Sequence, residues 1–186
     1  VKKGLMLGAA IGVVGGLFSL LKKSVTFVAG MIDELGASFG VLGAQSGTFQ
    51  DTLMDSSVEV ISIGKATKDV VEVTQELSQN FGLSFDEAAK MSDKILDSAV
   101  GMGMTNSEAA KLFGTFISLG GLSLEQAENL AESTYQLAAQ NGVAPVAVMR
   151  DIADSSSMIA KFGAANLKSI TNAAIQARKM GLNLST

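Results

Sequence analysis

A short phrase recurs along the second half of this chain and dictates what it can fold into. Gly82-Leu-Ser-Phe-Asp-Glu-Ala-Ala returns as Gly103-Met-Thr-Asn-Ser-Glu-Ala-Ala and as Gly121-Leu-Ser-Leu-Glu-Gln-Ala-Glu. A looser copy is Gly142-Val-Ala-Pro-Val-Ala-Val, and Gly181-Leu-Asn-Leu-Ser-Thr begins another. The starts lie 21, 18, 21 and 39 residues apart, the last being the sum of a long and a short spacing. Each copy has a mechanical reading. Glycine after an apolar helix supplies the left-handed C-terminal conformation, the next apolar residue tucks back onto the last turn, and Ser or Thr caps the helix that follows. Ser84 with Glu87, Thr105 with Glu108, and Ser123 with Gln126 are capping boxes, in which the third residue reaches back to the amide of the cap. In the fourth copy Pro145 takes the early-helix position where its missing N–H does no harm.

These signals predict helices over 84–100, 105–119, 123–140, 145–162 and 166–180. Their expected apolar stripes hold Met91, Ile95 and Val100; Leu112, Phe113, Phe116 and Ile117; Leu130, Tyr135 and Leu137; Met149, Ile152 and Ile159; and Leu167, Ile170 and Ile175. Helices of this length with loops of about four residues favour antiparallel neighbours, as a bundle or a solenoid. The single proline, set against abundant Ala, Leu and Met, extends the all-α expectation to the whole chain.

Upstream the pattern changes. A 4,3 spacing runs from Val28 through Ile32, Leu35, Phe39, Leu42, Ser46, Phe49, Leu53, Ser56, Val60, Ile63, Thr67, Val70, Thr74 and Leu77 to Phe81, and 12 of these 16 positions are apolar. Sustained over many turns, such a seam lets helices wind around copies of themselves. At 47% hydrophobic content about seven or eight matches arise by chance, which tempers the signal. Gly36, Gly40, Gly43 and Gly47 leave a competing reading of two helices joined near 43–47.

At the N-terminal side, Gly4, Gly8, Gly12 and Gly16 stand four apart within an uncharged run from Gly4 to Leu21, closed by Lys2 and Lys3 at one end and Lys22 and Lys23 at the other. On a helix they form a ridge without side chains, a surface for close helix association. Four glycines cost an isolated helix about 1 kcal/mol each, so packing has to return that energy. At 1.5 Å per residue the run reaches roughly 27 Å against a hydrocarbon core of about 30 Å. It reads either as a spanning helix with lysines snorkelling into head groups or as an apolar arm packed in a large assembly. A secretory signal fits poorly, because no small-residue cleavage site precedes Lys22.

Charged residues make up only 17% of the chain, too few for the surface of a free-standing monomer, so a covering partner is expected. Every acid lies between Asp33 and Asp154, and both ends are purely basic. Lys161, Lys168, Arg178 and Lys179 are dispersed and lack aromatic stacking platforms, so sequence-specific nucleic-acid binding is not expected. With no histidine, cysteine or tryptophan, the usual general base, the thiol nucleophile and most transition-metal ligands are missing. The adjacent acids Asp86-Glu87 suit the first turn of a helix better than acid catalysis. Gly101-Met-Gly103 lacks the third glycine and the preceding strand of a dinucleotide fingerprint, and neither a phosphate loop nor a calcium loop occurs. No enzyme activity, cofactor, metal or small-molecule substrate is expected.

The stretch from Leu77 to Thr186 resembles the tail tape-measure proteins of tailed bacteriophages. The phrases that carry the resemblance are Phe81-Gly-Leu-Ser-Phe-Asp-Glu-Ala-Ala, Gly121-Leu-Ser-Leu-Glu-Gln-Ala-Glu-Asn-Leu-Ala-Glu-Ser-Thr-Tyr-Gln-Leu-Ala, Gly142-Val-Ala-Pro, and Ala174-Ile-Gln-Ala-Arg-Lys-Met-Gly-Leu-Asn-Leu-Ser-Thr. It implies a long helical virion protein, made in the host cytoplasm, that lies in the tail lumen or tip, sets tail length, and assists DNA ejection through the host envelope. The implied partners are further copies of itself, tail-tube, tail-tip or baseplate hub proteins, and the host membrane. The expected organisation is a glycine-zipper segment over 1–23, coiled-coil-like helices over 24–81, and a helical repeat bundle over 82–186 that continues beyond this stretch. The competing functions are a membrane-active, pore-forming helical protein and a helical protein–protein adaptor.

Overall fold

A computed structural model describes residues 51, 52, 55, 56, 63–162 and 166–183. These residues, Asp51 apart, fall in one compact unit, Thr52–Thr186. The glycine ridge at Gly4, Gly8, Gly12 and Gly16 and the seam positions Ile32, Leu35, Phe39, Leu42, Phe49, Leu53 and Val60 lie outside the described residues.

The described part is all-helical, with no strand among its residues. Its helices are α1 (Thr67–Phe81), α2 (Phe85–Met102), α3 (Asn106–Gly114), α4 (Leu124–Gln140), α5 (Pro145–Asp154), α6 (Ser156–Phe162) and α7 (Leu167–Lys179). A π-helical turn, Thr115–Leu119, prolongs α3.

The glycine phrases become the joints of this bundle. Gly82, Gly103, Gly121, Gly142 and Gly181 all stand at φ between 66° and 76°, the left-handed region open to glycine. At each joint the N–H of the residue after the glycine returns five or six residues along the chain. Leu83 donates to the Leu77 carbonyl, Met104 to Ala99, Leu122 to Phe116, Val143 to Ala138 and Leu182 to Ala177, over 2.9–3.4 Å. These are Schellman closures, which satisfy carbonyls that the end of a helix leaves unpaired.

The three-residue joint at Gly82 folds α1 and α2 into an antiparallel hairpin. The Thr74 and Ser92 hydroxyls meet at 2.9 Å across it, one donating to the other, and each also stands 2.7 Å from the carbonyl four residues back in its own helix, to which the hydroxyl left free donates. Helix α3 packs on both members of the hairpin, α5 on α3 and α4, and α7 on α5 and α4, while α6 lies against the π-turn. Val70, Val73 and Leu77 of α1, Ile95 and Leu96 of α2, Leu112, Phe113 and Phe116 around α3, and Met149, Ile152, Ile159 and Ile175 beyond them are fully or almost fully buried. The late seam positions Val70, Thr74 and Leu77 are therefore covered inside one unit, and their spacing is satisfied by α2 and α3. Helix α1 packs with the helices that follow it and not as a separate segment ending at Phe81.

Three details depart from the sequence expectation. The buried residues of α4 are Ala127, Ala131, Thr134 and Ala138, whereas Leu130 and Tyr135 are half-buried and Leu137 is exposed. The small side turns inward, and the larger side chains take the flanks. Val100, expected in the stripe of α2, is likewise exposed. The helix expected over 145–162 is broken at Ser155, whose hydroxyl donates to the Asp151 carbonyl at 2.6 Å and whose backbone leaves helical geometry at φ −91°, ψ 24°. Serine competes locally for backbone partners, and three serines stand in a row here. The third difference is the π-turn itself, closed by Gly120 N–H to the Thr115 carbonyl at 2.9 Å. A Cβ on Gly120 would meet the Phe116 carbonyl oxygen and the Leu167 side chain, so the wider turn seats a backbone approach that only glycine permits.

Candidate interaction surfaces

The three expected capping boxes are formed. The Glu87 N–H donates to Ser84 Oγ at 3.4 Å, and the Ser84 N–H to Glu87 Oε2 at 3.2 Å. Thr105 and Glu108 exchange the same pair of bonds at 3.2 and 3.1 Å, and Ser123 and Gln126 at 3.2 and 3.0 Å. Hydrogen bonds from the Ser84 side chain and backbone hold the Glu87 carboxyl below its ordinary pKa. The Asp86 carboxyl is also lowered, first by the hydrogen bond from Lys90 at 2.6 Å. Both acids have structural work at the start of α2, Glu87 in the capping box and Asp86 in the pair with Lys90. Ile63, a further seam position, sits half-buried in a turn before α1.

The structure adds a set of polar ties that local sequence signals did not reveal. Asn106, at the first turn of α3, donates through Nδ2 to Asp69 Oδ1 and to Glu72 Oε2, each at 2.9 Å, and accepts from Lys65 Nζ at 2.7 Å. Asp69 also accepts the Ala66 N–H at 2.7 Å, closing the start of α1. Glu108 does double duty. It caps α3 and also takes Arg150 Nε of α5 at 2.7 Å, and its pKa is lowered first by that arginine and then by the Thr105 amide. Asp151, almost fully buried, receives Arg178 of α7 through Nε and Nη2, both at 2.5 Å, and this raises the arginine's pKa further. Lys179 Nζ reaches Asn141 Oδ1 at 3.2 Å, joining the ends of α7 and α4. These ties secure α1 to α3, α3 to α5, α5 to α7 and α7 to α4 in turn. A paired carboxylate with a forked guanidinium fixes geometry, which is structural work.

Among the described residues no group of three or more Asp or Glu is placed to hold a metal, and no helix is long and apolar enough to cross a membrane. The surface features that remain are apolar side chains left in solvent. Phe162 is 60% exposed, Met180 69%, Leu182 54% and Val100 47%. Searches against protein-family models, curated proteins and solved structures find no match to this chain.

Proposed function

We propose that this chain is part of a structural protein of a phage tail, a tape measure that lies in the tail lumen and takes part in DNA delivery. The observation that carries the reading is the family-like phrasing of 77–186, supported by its translation into glycine-jointed, capped helices tied to one another by Asn106, Glu108, Asp151 and Lys179. On this reading the unit is a folded element of the virion protein, the helices upstream of it act as the ruler, and the glycine ridge packs against copies, tail proteins or the host membrane. An enzyme needs a convergent set of acid, base or nucleophile in a cleft, whereas Asp69, Glu72, Asp86, Glu87, Glu108 and Asp151 serve as capping and bridging groups.

The test is direct. Peptides from the chain should appear in purified tailed particles, with immunogold label along the tail or at its tip. Removing two heptads from 24–50 should shorten tails by about 21 Å, at 1.5 Å per helical residue. Particles free of the chain, or tails unchanged in length, would overturn the reading in its whole or in its ruler part respectively.

A further inference from the structure

The glycine joints recur at a fixed distance. Gly82 and Gly121, Gly103 and Gly142, and Gly142 and Gly181 stand 39 residues apart, and α2 and α4, like α3 and α5, begin 39 residues apart. Two helices therefore make one period. Helix α1 packs on α2 and α3, α2 on α3 and α4, α3 on α4 and α5, α4 on α5 and α7, and α5 on α7, while α6 lies on the π-turn that prolongs α3. With α5 and α6 taken as one broken helix, each of these contacts joins helices that are next or next but one in sequence. The ties keep the same order: Asn106 joins α3 to α1, Arg150 joins α5 to α3, and α7 is held to α5 by Arg178 and to the end of α4 by Lys179. The α1–α2 hairpin and α7 are thus linked through α3, α4 and α5. That is the topology of a one-dimensional array, in which stability is a sum of local terms and neighbour interfaces.

The two ends of the array are held differently. Helices α1 and α2 bury Val70, Val73, Leu77, Ile95 and Leu96 completely and share the Thr74–Ser92 bond. At the other end α7 packs on α4, which buries three alanines and a threonine, and on α5, which breaks off at Ser155. Small side chains remove less apolar surface from water than branched ones, so the interface at this end is the weaker. What fixes α7 there is directional. Both carboxylate oxygens of the buried Asp151 are taken by Arg178, whose side chain is 32% exposed, so water reaches the pair from the arginine side.

We propose that the unit opens in segments from its α7 end, with the Arg178–Asp151 pair as the latch, and that α1, α2 and α3 stay packed while α7 comes away. Opening at one end costs the interfaces at that end and leaves those at the other intact. The proposal concerns the packing of this unit and stands whether or not the chain occurs in tailed particles.

Amide hydrogen exchange of the full chain, read peptide by peptide by mass spectrometry, tests it. In the unsubstituted chain 167–179 should exchange at least about tenfold faster than the slowest amides of 67–102. Arg178→Met should speed exchange across 167–179 by about a hundredfold, since it strands the Asp151 carboxylate. Leu77→Ala, at the far end, decides between segments and a single block: it should speed exchange across 67–102 by about a hundredfold and leave 167–179 unchanged. Val73→Ala repeats that measurement with a smaller deletion where Leu77→Ala leaves too little folded chain. Exchange of 167–179 that rises with either substitution in α1, or equal rates at the two ends, overturns the proposal and makes the unit one cooperative block. Slower exchange in 167–179 than in 67–102 overturns the order of opening, and an Arg178→Met chain with unchanged exchange in 167–179 overturns the latch.

Discussion

The contact between Gly114 and Phe81 offers a test in which two known effects oppose each other. Gly114 is buried at the end of α3 with helical dihedrals, φ −57° and ψ −41°, so alanine fits its backbone without strain. On propensity alone Gly114→Ala should stabilise the unit by about 1 kcal/mol. The added Cβ, however, would stand 2.6 Å from Phe81 Cγ and 2.7 Å from Cε2, well inside contact distance. Overpacking of this kind costs about 1–3 kcal/mol, because an aromatic ring has to leave its rotamer or the helix has to shift. The steric term is the larger, so the net expectation is a loss of about 1 kcal/mol. Removing the ring should reverse the sign. In a Phe81→Ala background, Gly114→Ala has nothing to strike and should stabilise by about 1 kcal/mol, a coupling of about 2 kcal/mol between the two sites. Urea unfolding of the four chains, followed by far-UV circular dichroism, closes the cycle. A substitution at Gly114 with the same effect in both backgrounds would refute the packing of α1 against α3 that this reasoning assumes.

The caps should act additively, since each is local: Ser84→Ala, Thr105→Ala and Ser123→Ala together should cost about 1 kcal/mol per cap in unfolding of the full chain, and an unchanged midpoint would remove the capping boxes as a source of stability. Arg178→Met should destabilise by about 3 kcal/mol because it strands the buried Asp151 carboxylate, whereas adding Asp151→Leu to it should recover part of the loss; a double variant worse than the single would contradict the pairing. For acid, the sign follows from Glu87 and Glu108, whose folded pKa values are depressed from 4.5. Their contribution is fully present above that value and is lost as pH falls through the lower folded values, so Glu87→Gln with Glu108→Gln should flatten the acid limb of stability below pH 4.5, read from denaturant midpoints across pH.

What could be read in advance followed distance along the chain. The joints and caps span six residues or fewer, and their chemistry is complete within that window: glycine for the left-handed turn, a hydroxyl for the exposed amides, a carboxylate or amide three residues on. They place four of the seven helix starts, those of α2, α3, α4 and α5, within about a residue. The break at Ser155 rests on a serine–carbonyl bond that many unbroken helices also contain. The π-turn lay in the same stretch but was not legible, because it is fixed by what packs against it, as Leu167 on Gly120 shows. The ties were hidden for the same reason. Asn106 meets Asp69 across 37 residues, Arg150 meets Glu108 across 42, and Arg178 meets Asp151 across 27, and no local pattern marks one charged residue as the partner of another. Arg178 stood in view as part of a dispersed basic group, yet its partner was unreadable.

The inward face of α4 shows why size misleads. Ranking apolar residues by bulk assigns the stripe to Leu130, Tyr135 and Leu137, since a buried leucine contributes about 1.5–3 kcal/mol and an alanine methyl about 0.8. Spacing says otherwise: Ala127, Ala131, Thr134 and Ala138 stand at intervals of four, three and four, which is one face of a helix. A face so small lets α4 approach its neighbours closely, and contact with backbone replaces contact between long side chains. It also fixes position poorly, because methyl groups slide past one another with little change in volume filled. The unit answers with geometry that is directional. Capping boxes set where α4 begins, a Schellman closure sets where it ends, and Asn141 with Lys179 pins that end to α7. Alanine interiors and polar ties are thus complementary: the first brings the helices together, and the second decides the register in which they meet. The larger side chains that α4 does not bury are left on its flanks, where Leu130 and Tyr135 are half-buried and Leu137 is exposed.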